Sequence, residues 1–179
     1  MDWGTGCCSF IGCVVADSHT LDAALERVSR WRGEGQQIAF TNGVFDVLHV
    51  GHVAVLEAAA AEGDRLVVGV NSDASVRRLG KGDDRPIHGQ ANRARLLAAL
   101  RCVDAVVVFD ADTPLALVQA IEPDVLVKGG DYDPACLNPD DPCYMVGSAE
   151  VREWGGRVVA VPLMPGESTT ATLQRIRKS

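Results

Sequence analysis

With 179 residues, 47% of them apolar, the chain has material for one buried core, and no linker-like stretch divides it. A formal net charge of −7, with no block of lysine or arginine, sets the surface against polyanions, so nucleic acid is not expected as a partner. No apolar run approaches a membrane span, and the short patch at residues 10–16 lacks the preceding basic residues of a signal peptide, so neither a membrane nor export is expected.

Residues 1–17 cluster Gly, Cys and Ser without a period and read as a flexible tail, leaving 18–179 as a single domain. From Leu21 the spacing Leu21, Leu25, Val28, Trp31 is helical, with Ser18 or Thr20 as its cap and Gly33 and Gly35 at its end. Five short β-branched segments follow, at residues 37–41, 65–70, 104–109, 124–127 and 157–162, each reading as a buried strand. Helical patterns lie between them at 51–62, 90–101, 113–121 and 148–154, a shorter one follows Asn71, and another at 168–177 closes the chain. Alternation of this kind predicts an α/β fold, a Rossmann-like doubly wound five-stranded parallel sheet with an added N-terminal helix. Ligands of such sheets sit at the carboxyl ends of the strands, so functional residues should follow strands.

Cys7, Cys8, Cys13, Cys102, Cys136 and Cys143 form no CxxC pair, so free thiols are expected rather than zinc ligands, and no resident metal site is foreseen. Cys136 and Cys143 flank a Pro- and Asp-rich loop where pairing is the alternative.

The first strand runs into Thr41-Asn42-Gly43-Val44-Phe45-Asp46-Val47-Leu48-His49-Val50-Gly51-His52. Gly43 permits a tight turn, and Gly51 leaves the start of the next helix open to a phosphate. Two imidazoles three residues apart in a first helical turn can both donate to charge developing on a phosphorus. The bland alternative is one capping and one core histidine.

After the second strand come Asn71, then Asp73 as a candidate helix cap, and Lys81 between two glycines, a cation able to close over phosphates or simply a solvated charge. On the helix at 90–101, Leu96, Leu97 and Leu100 define an apolar stripe that contains Arg93, while Arg95 falls opposite. Arg93 and Arg101 are therefore expected to point into the site and hold phosphate, with a structural ion pair, for instance to Asp104, as the alternative. Lys128 stands at the carboxyl end of the fourth strand before Gly129, Gly130 and Asp131. Ser168, Thr169 and Thr170 open the last helix, where one hydroxyl can cap and the others meet an anion.

Residues 43–52 resemble the HxGH signature of the nucleotidyltransferase superfamily, in the GxFDxxHxGH form of its cytidylyltransferase-like branch. Class I aminoacyl-tRNA synthetases share a similar element but are much longer and carry a tRNA-binding surface. Taken with NRARLLAALR, DTPLALV, PDVLVKGGDY and GESTT, the chain from about 37 to 176 resembles the heptose 1-phosphate adenylyltransferases. That resemblance implies AMP transfer from ATP to D-glycero-β-D-manno-heptose 1-phosphate, giving ADP-heptose and pyrophosphate, with Mg2+ accompanying ATP, a cytoplasmic setting and a homodimer. Residues and resemblance together give the expected site. His49, His52 and Lys128 are catalytic; Thr41, Asn42, Gly43, Phe45, Gly51, Arg101, Gly130, Asp131, Ser168, Thr169 and Thr170 bind nucleotide; Asp46, Asn71, Lys81 and Arg93 bind the acceptor.

Two departures accompany the likeness. Glycerol 3-phosphate cytidylyltransferases have an arginine shortly before the STT motif, and residues 161–165 contain none, which weakens a CTP- or GTP-dependent alternative acting on glycerol phosphate or another heptose phosphate. Residues 134–146 lengthen a connection that the family keeps shorter, either as a tolerated insertion or as a lid or subunit contact that adjusts sugar choice. A silent nucleotide-binding module on the same fold is the reading from another class.

Overall fold

The computed structural model describes residues 20–178 apart from 81, 83 and 131, so the expected tail lies outside the described residues. Seven helices and five strands follow one another among them: α1 (Leu21–Gly33), β1 (Ile38–Gly43), α2 (Val50–Ala60), β2 (Arg65–Asn71), α3 (Asp73–Arg78), α4 (Gln90–Ala98), β3 (Ala105–Phe109), α5 (Leu115–Ile121), β4 (Val125–Gly129), α6 (Ser148–Glu153), β5 (Arg157–Val161) and α7 (Thr169–Lys178). All strands pair in parallel, in the order β3-β2-β1-β4-β5. This is the expected Rossmann-like α/β sheet.

Strand geometry explains why the central segments read as continuous apolar runs. Successive side chains point to opposite faces, and here both faces are covered. Ile38, Phe40, Val67, Val107 and Leu126 join α1, α5 and α6 in one core, through Val28, Trp31, Val118, Ile121 and Val151. Ala39, Leu66, Val68, Val106 and Val127 join α2 and α4 in the other, through Leu56, Ala59, Ala94 and Leu97. Thr20 caps α1 by accepting from the Ala23 amide at 3.4 Å.

The strand order reverses between β1 and β4, which opens a crevice at their carboxyl ends. Gly129 lets α2 settle there: a Cβ at that position would stand 2.6 Å from Cγ2 of Val55. The start of α2 is thereby held over the switch point.

Three local expectations change. Ser72, not Asp73, caps α3, accepting from the Ser75 amide at 3.0 Å. The helix expected to run to Arg101 ends at Ala98, where the Leu100 amide turns back to Leu97 O at 3.0 Å. Its buried side is Arg93, Ala94 and Leu97, while Leu96 is 43% exposed, so the stripe is rotated from the one its leucines suggest.

Candidate active site

Between β1 and α2 the chain takes a conformation that its residue types resist. Phe45 and Val47 have φ of 51° and 48°, in the left-handed region, where a side chain meets the following carbonyl. Each such residue costs on the order of 1–3 kcal/mol and persists only when its surroundings fix it. Two buried polar systems do so.

Asp46, between the two left-handed residues, is 1% exposed. Its carboxylate accepts from Arg85 Nε at 2.7 Å and from the amides of Ile87 and His88 at 2.8 and 2.9 Å. Burial alone would raise this carboxyl, but the two amides and the guanidinium outweigh it and hold Asp46 below the ordinary carboxylate value. Its backbone carbonyl accepts from the Thr169 hydroxyl at 2.7 Å, which docks the start of α7 against the loop.

Arg93 is the second system, fully buried at 0% exposure. Nη1 donates to Val44 O, Nη2 to Asp73 Oδ1, both at 2.7 Å, and Nε to His88 O at 2.8 Å. Arg93 thus ties the loop, α3 and the segment before α4 to one planar group.

So braced, the loop delivers His49 as the residue capping α2 and His52 into its first turn. The two rings stack with centroids 3.8 Å apart, and the Phe45 ring meets His52 edge-on at 5.4 Å. Gly51 makes room for this, since a Cβ there would lie 3.0 Å from the His49 ring and 3.2 Å from Glu167 Cβ. Nδ1 of His49 is buried without a hydrogen-bond partner among the described residues. Burial pushes His49 below its usual value, with the Glu167 carboxylate pulling part of the way back.

The histidines open onto a cavity of about 870 Å³ at the switch point. Of the residues expected in the site, Thr41, Asn42, Gly43, Phe45, His49, Gly51, His52, Asn71, Lys128, Ser168, Thr169 and Thr170 line it. Lys128 stands at the carboxyl end of β4 as its penultimate residue, its Nζ 3.3 Å from Asn42 O and 5.7 Å from the centre of the Tyr132 ring. The three hydroxyls divide their work: Ser168 caps by accepting from the Ala171 amide at 3.1 Å, Thr169 holds Asp46, and Thr170 is exposed.

Four expected residues are placed elsewhere. Asp46 and Arg93 lie beneath the loop, their charges committed to protein partners rather than to the cavity. Arg101 is exposed in the turn after α4, off the cavity, because the helix that would have aimed it has ended. Asp104, considered as its partner, pairs with Arg65 at 3.0 Å. Gly130 is beside the cavity without lining it, and Lys81 and Asp131 lie outside the described residues. Residues that the sequence reading did not assign also line the wall: Arg85, Asp112, Thr113, Tyr132, Tyr144 and Glu167. The rule that functional residues follow strands points to Asp112 and Thr113 after β3. Tyr144 belongs to the lengthened connection and carries no such signal.

A family model described as cytidylyltransferase-like matches residues 40–160. The chain belongs to the cytidylyltransferase-like family. Among curated relatives it is 55% identical over 158 residues to the bifunctional protein HldE of Acidiphilium cryptum, and 51% identical over 156 residues to that of Methylobacillus flagellatus. These matches take in 88% and 87% of this chain but 31% and 30% of those proteins, so the chain spans under a third of the relatives' length. Among solved structures, the lipopolysaccharide core biosynthesis protein of Thermoplasma volcanium aligns with a TM-score of 0.55 at 28% identity, covering 72% of this chain and 97% of that one. Pantoate-beta-alanine ligase of Francisella tularensis shares the fold at a TM-score of 0.53 and 15% identity, over 84% of this chain and 70% of its own.

The bracing residues and the histidines make separate predictions. Arg93→Met, which keeps the volume and strands Asp73 and two carbonyls, should lower unfolding free energy by about 3–5 kcal/mol in urea titrations. Arg101→Met should stay within about 0.5 kcal/mol of the parent. A His49 depressed in the folded state binds fewer protons than in the unfolded chain, so its contribution is present above the ordinary histidine pKa and is lost as pH falls through the folded value. NMR titration of the His49 ring should give a midpoint below about 6.5. A midpoint at or above that value would contradict the burial of this ring.

Proposed function

We propose that this chain transfers AMP from ATP to D-glycero-β-D-manno-heptose 1-phosphate, releasing pyrophosphate and forming ADP-heptose. The observation that carries this reading is the convergence of His49, His52, Lys128 and the start of α7 on one cavity at the switch point. The identity to proteins named HldE adds support, and the sugar itself comes from the resemblance of the motifs.

In this reaction a phosphate oxygen of the sugar 1-phosphate attacks the α-phosphorus of ATP. One P–O bond forms, the bond to the bridging oxygen of the β-phosphate breaks, and pyrophosphate leaves with the electron pair. His49 and His52 donate hydrogen bonds to the oxygens on which charge accumulates, an interaction strongest in the transition state. The Lys128 ammonium offsets phosphate charge, and the Arg85 guanidinium, whose Nε is held by Asp46, adds to it. The start of α7, with its helix dipole and the Thr170 hydroxyl, takes a further phosphate. Mg2+ accompanying the triphosphate would offset phosphate charge, and Asp112 and Glu167 are the lining carboxylates that would hold it.

Use of ATP accords with a cytoplasmic setting, and no helix among the described residues is long and apolar enough to cross a membrane. A homodimer belongs to the same proposal, supported by the exposed Met164 and Ile176 beyond edge strand β5. Sedimentation should give twice the 19.0 kDa chain mass, and a single-chain mass would refute the dimer.

The decisive assay pairs ATP, CTP and GTP with heptose 1-phosphate and glycerol 3-phosphate and follows pyrophosphate release. ATP with heptose 1-phosphate should turn over fastest, and His49→Ala or His52→Ala should lower kcat by about 10²–10³-fold. Preference for CTP with glycerol phosphate, or nucleotide binding without turnover for any acceptor, would overturn the assignment.

A further inference from the structure

Another group of reactive side chains lies on the 134–146 connection between β4 and α6. Cys136, Asp141 and Cys143 each offer one donor atom, two Sγ and a carboxylate oxygen, all within 4.8 Å of one another. None of the three lines the cavity.

Backbone bonds build this arrangement. The Cys136 amide donates to Asp133 O at 3.0 Å, and the Asp133 amide donates to Cys143 O at 3.0 Å, which brings the two cysteine segments side by side. The Asp141 amide donates to Asn138 O at 3.1 Å, turning the chain back, and the Cys143 amide donates to Asp141 Oδ1 at 3.0 Å. That last bond orients the carboxylate from behind, as an outer-shell donor orients a metal-binding carboxylate. The connection is anchored in the core at Met145, 1% exposed, whereas residues 137–142 are all exposed, Leu137 at 73%.

We propose that Cys136, Asp141 and Cys143 bind a borderline-soft divalent cation of the zinc class, with water as the fourth ligand. Two sulfurs and a carboxylate suit Zn2+ and disfavour Mg2+ and Ca2+, which take oxygen. Tetrahedral Zn2+ with bonds of about 2.3 Å to sulfur and 2.0 Å to oxygen sets those donors about 3.5–3.8 Å apart, within the 4.8 Å that bounds them here. Binding replaces the two S–H protons, so each ion taken up releases two protons from the thiols. The ion would fix both ends of the connection, where Tyr132 and Tyr144 line the cavity and the Tyr144 amide already donates to Asp141 O at 2.9 Å. This site stands apart from the proposed reaction and does not depend on it.

The test is a Co2+ titration of the full-length chain with Cys7, Cys8, Cys13 and Cys102 changed to Ser, so that only the two loop thiols remain. A near-ultraviolet thiolate-to-cobalt band should appear, saturate at one ion per chain and vanish on adding Zn2+. Cys136→Ser and Cys143→Ser should each abolish the band, and Asp141→Asn should weaken affinity about tenfold or more, with far-ultraviolet circular dichroism unchanged in all three. No band, or affinity indifferent to Asp141→Asn, would overturn the proposal. So would a Cys136–Cys143 disulfide that forms in air, persists alongside excess Zn2+ and shows as a mass two hydrogens lighter.

Discussion

Everything at this site depends on holding five residues, 44–48, in a shape that their own chemistry disfavours. Phe45 and Val47 adopt left-handed backbone although neither is glycine, and Val47 is β-branched. What opposes the strain is charge placed where water cannot compete: Asp46 against Arg85 and two amides, Arg93 against two carbonyls and Asp73. A buried ion pair often adds little net stability, because desolvation offsets attraction. Its use here is geometric. The strained turn sets the direction in which α2 leaves the sheet, and with it the stacking of His49 on His52.

The same dependence explains which parts of the site were legible in the sequence. Periodicity located every strand and helix of the described core, because burial on both faces of the sheet leaves an unmistakable apolar signature at β1 and β2. Gly43, Phe45, His49, Gly51 and His52 of the motif, the lysine near the end of β4 and the hydroxyls at the start of α7 follow from strand-end logic, and all of them border the cavity. The basic residues were harder. Arg93 on an apolar stripe announces a partner but not which one. Its position is compatible with a bound phosphate or with buried carbonyls, and only three dimensions bring Val44 O and Asp73 to it. Arg101 lies off the cavity for another reason: its expected aim depended on a helix continuing three residues farther than it does.

Asp46 shows a similar ambiguity in reverse. A carboxylate flanked by motif residues reads as a contact to ligand, whereas its partners, at 85, 87 and 88, are distant in sequence and unremarkable there. Cys136 and Cys143 read in sequence as free thiols or a pair, and Asp141 between them carried no signal. Metal ligands are sought as close cysteine pairs, while here a carboxylate intervenes and turns of the backbone, not short spacing, bring the sulfurs together.

The bond from Thr169 to the carbonyl of Asp46 spans most of the chain in sequence. Synthesis proceeds from the amino end, so a nascent chain has both histidines, the sheet's central strands and the Arg93 brace long before it has that hydroxyl. The tether therefore joins the loop only once synthesis has passed residue 169, and a product truncated before it holds its histidine loop without that bond.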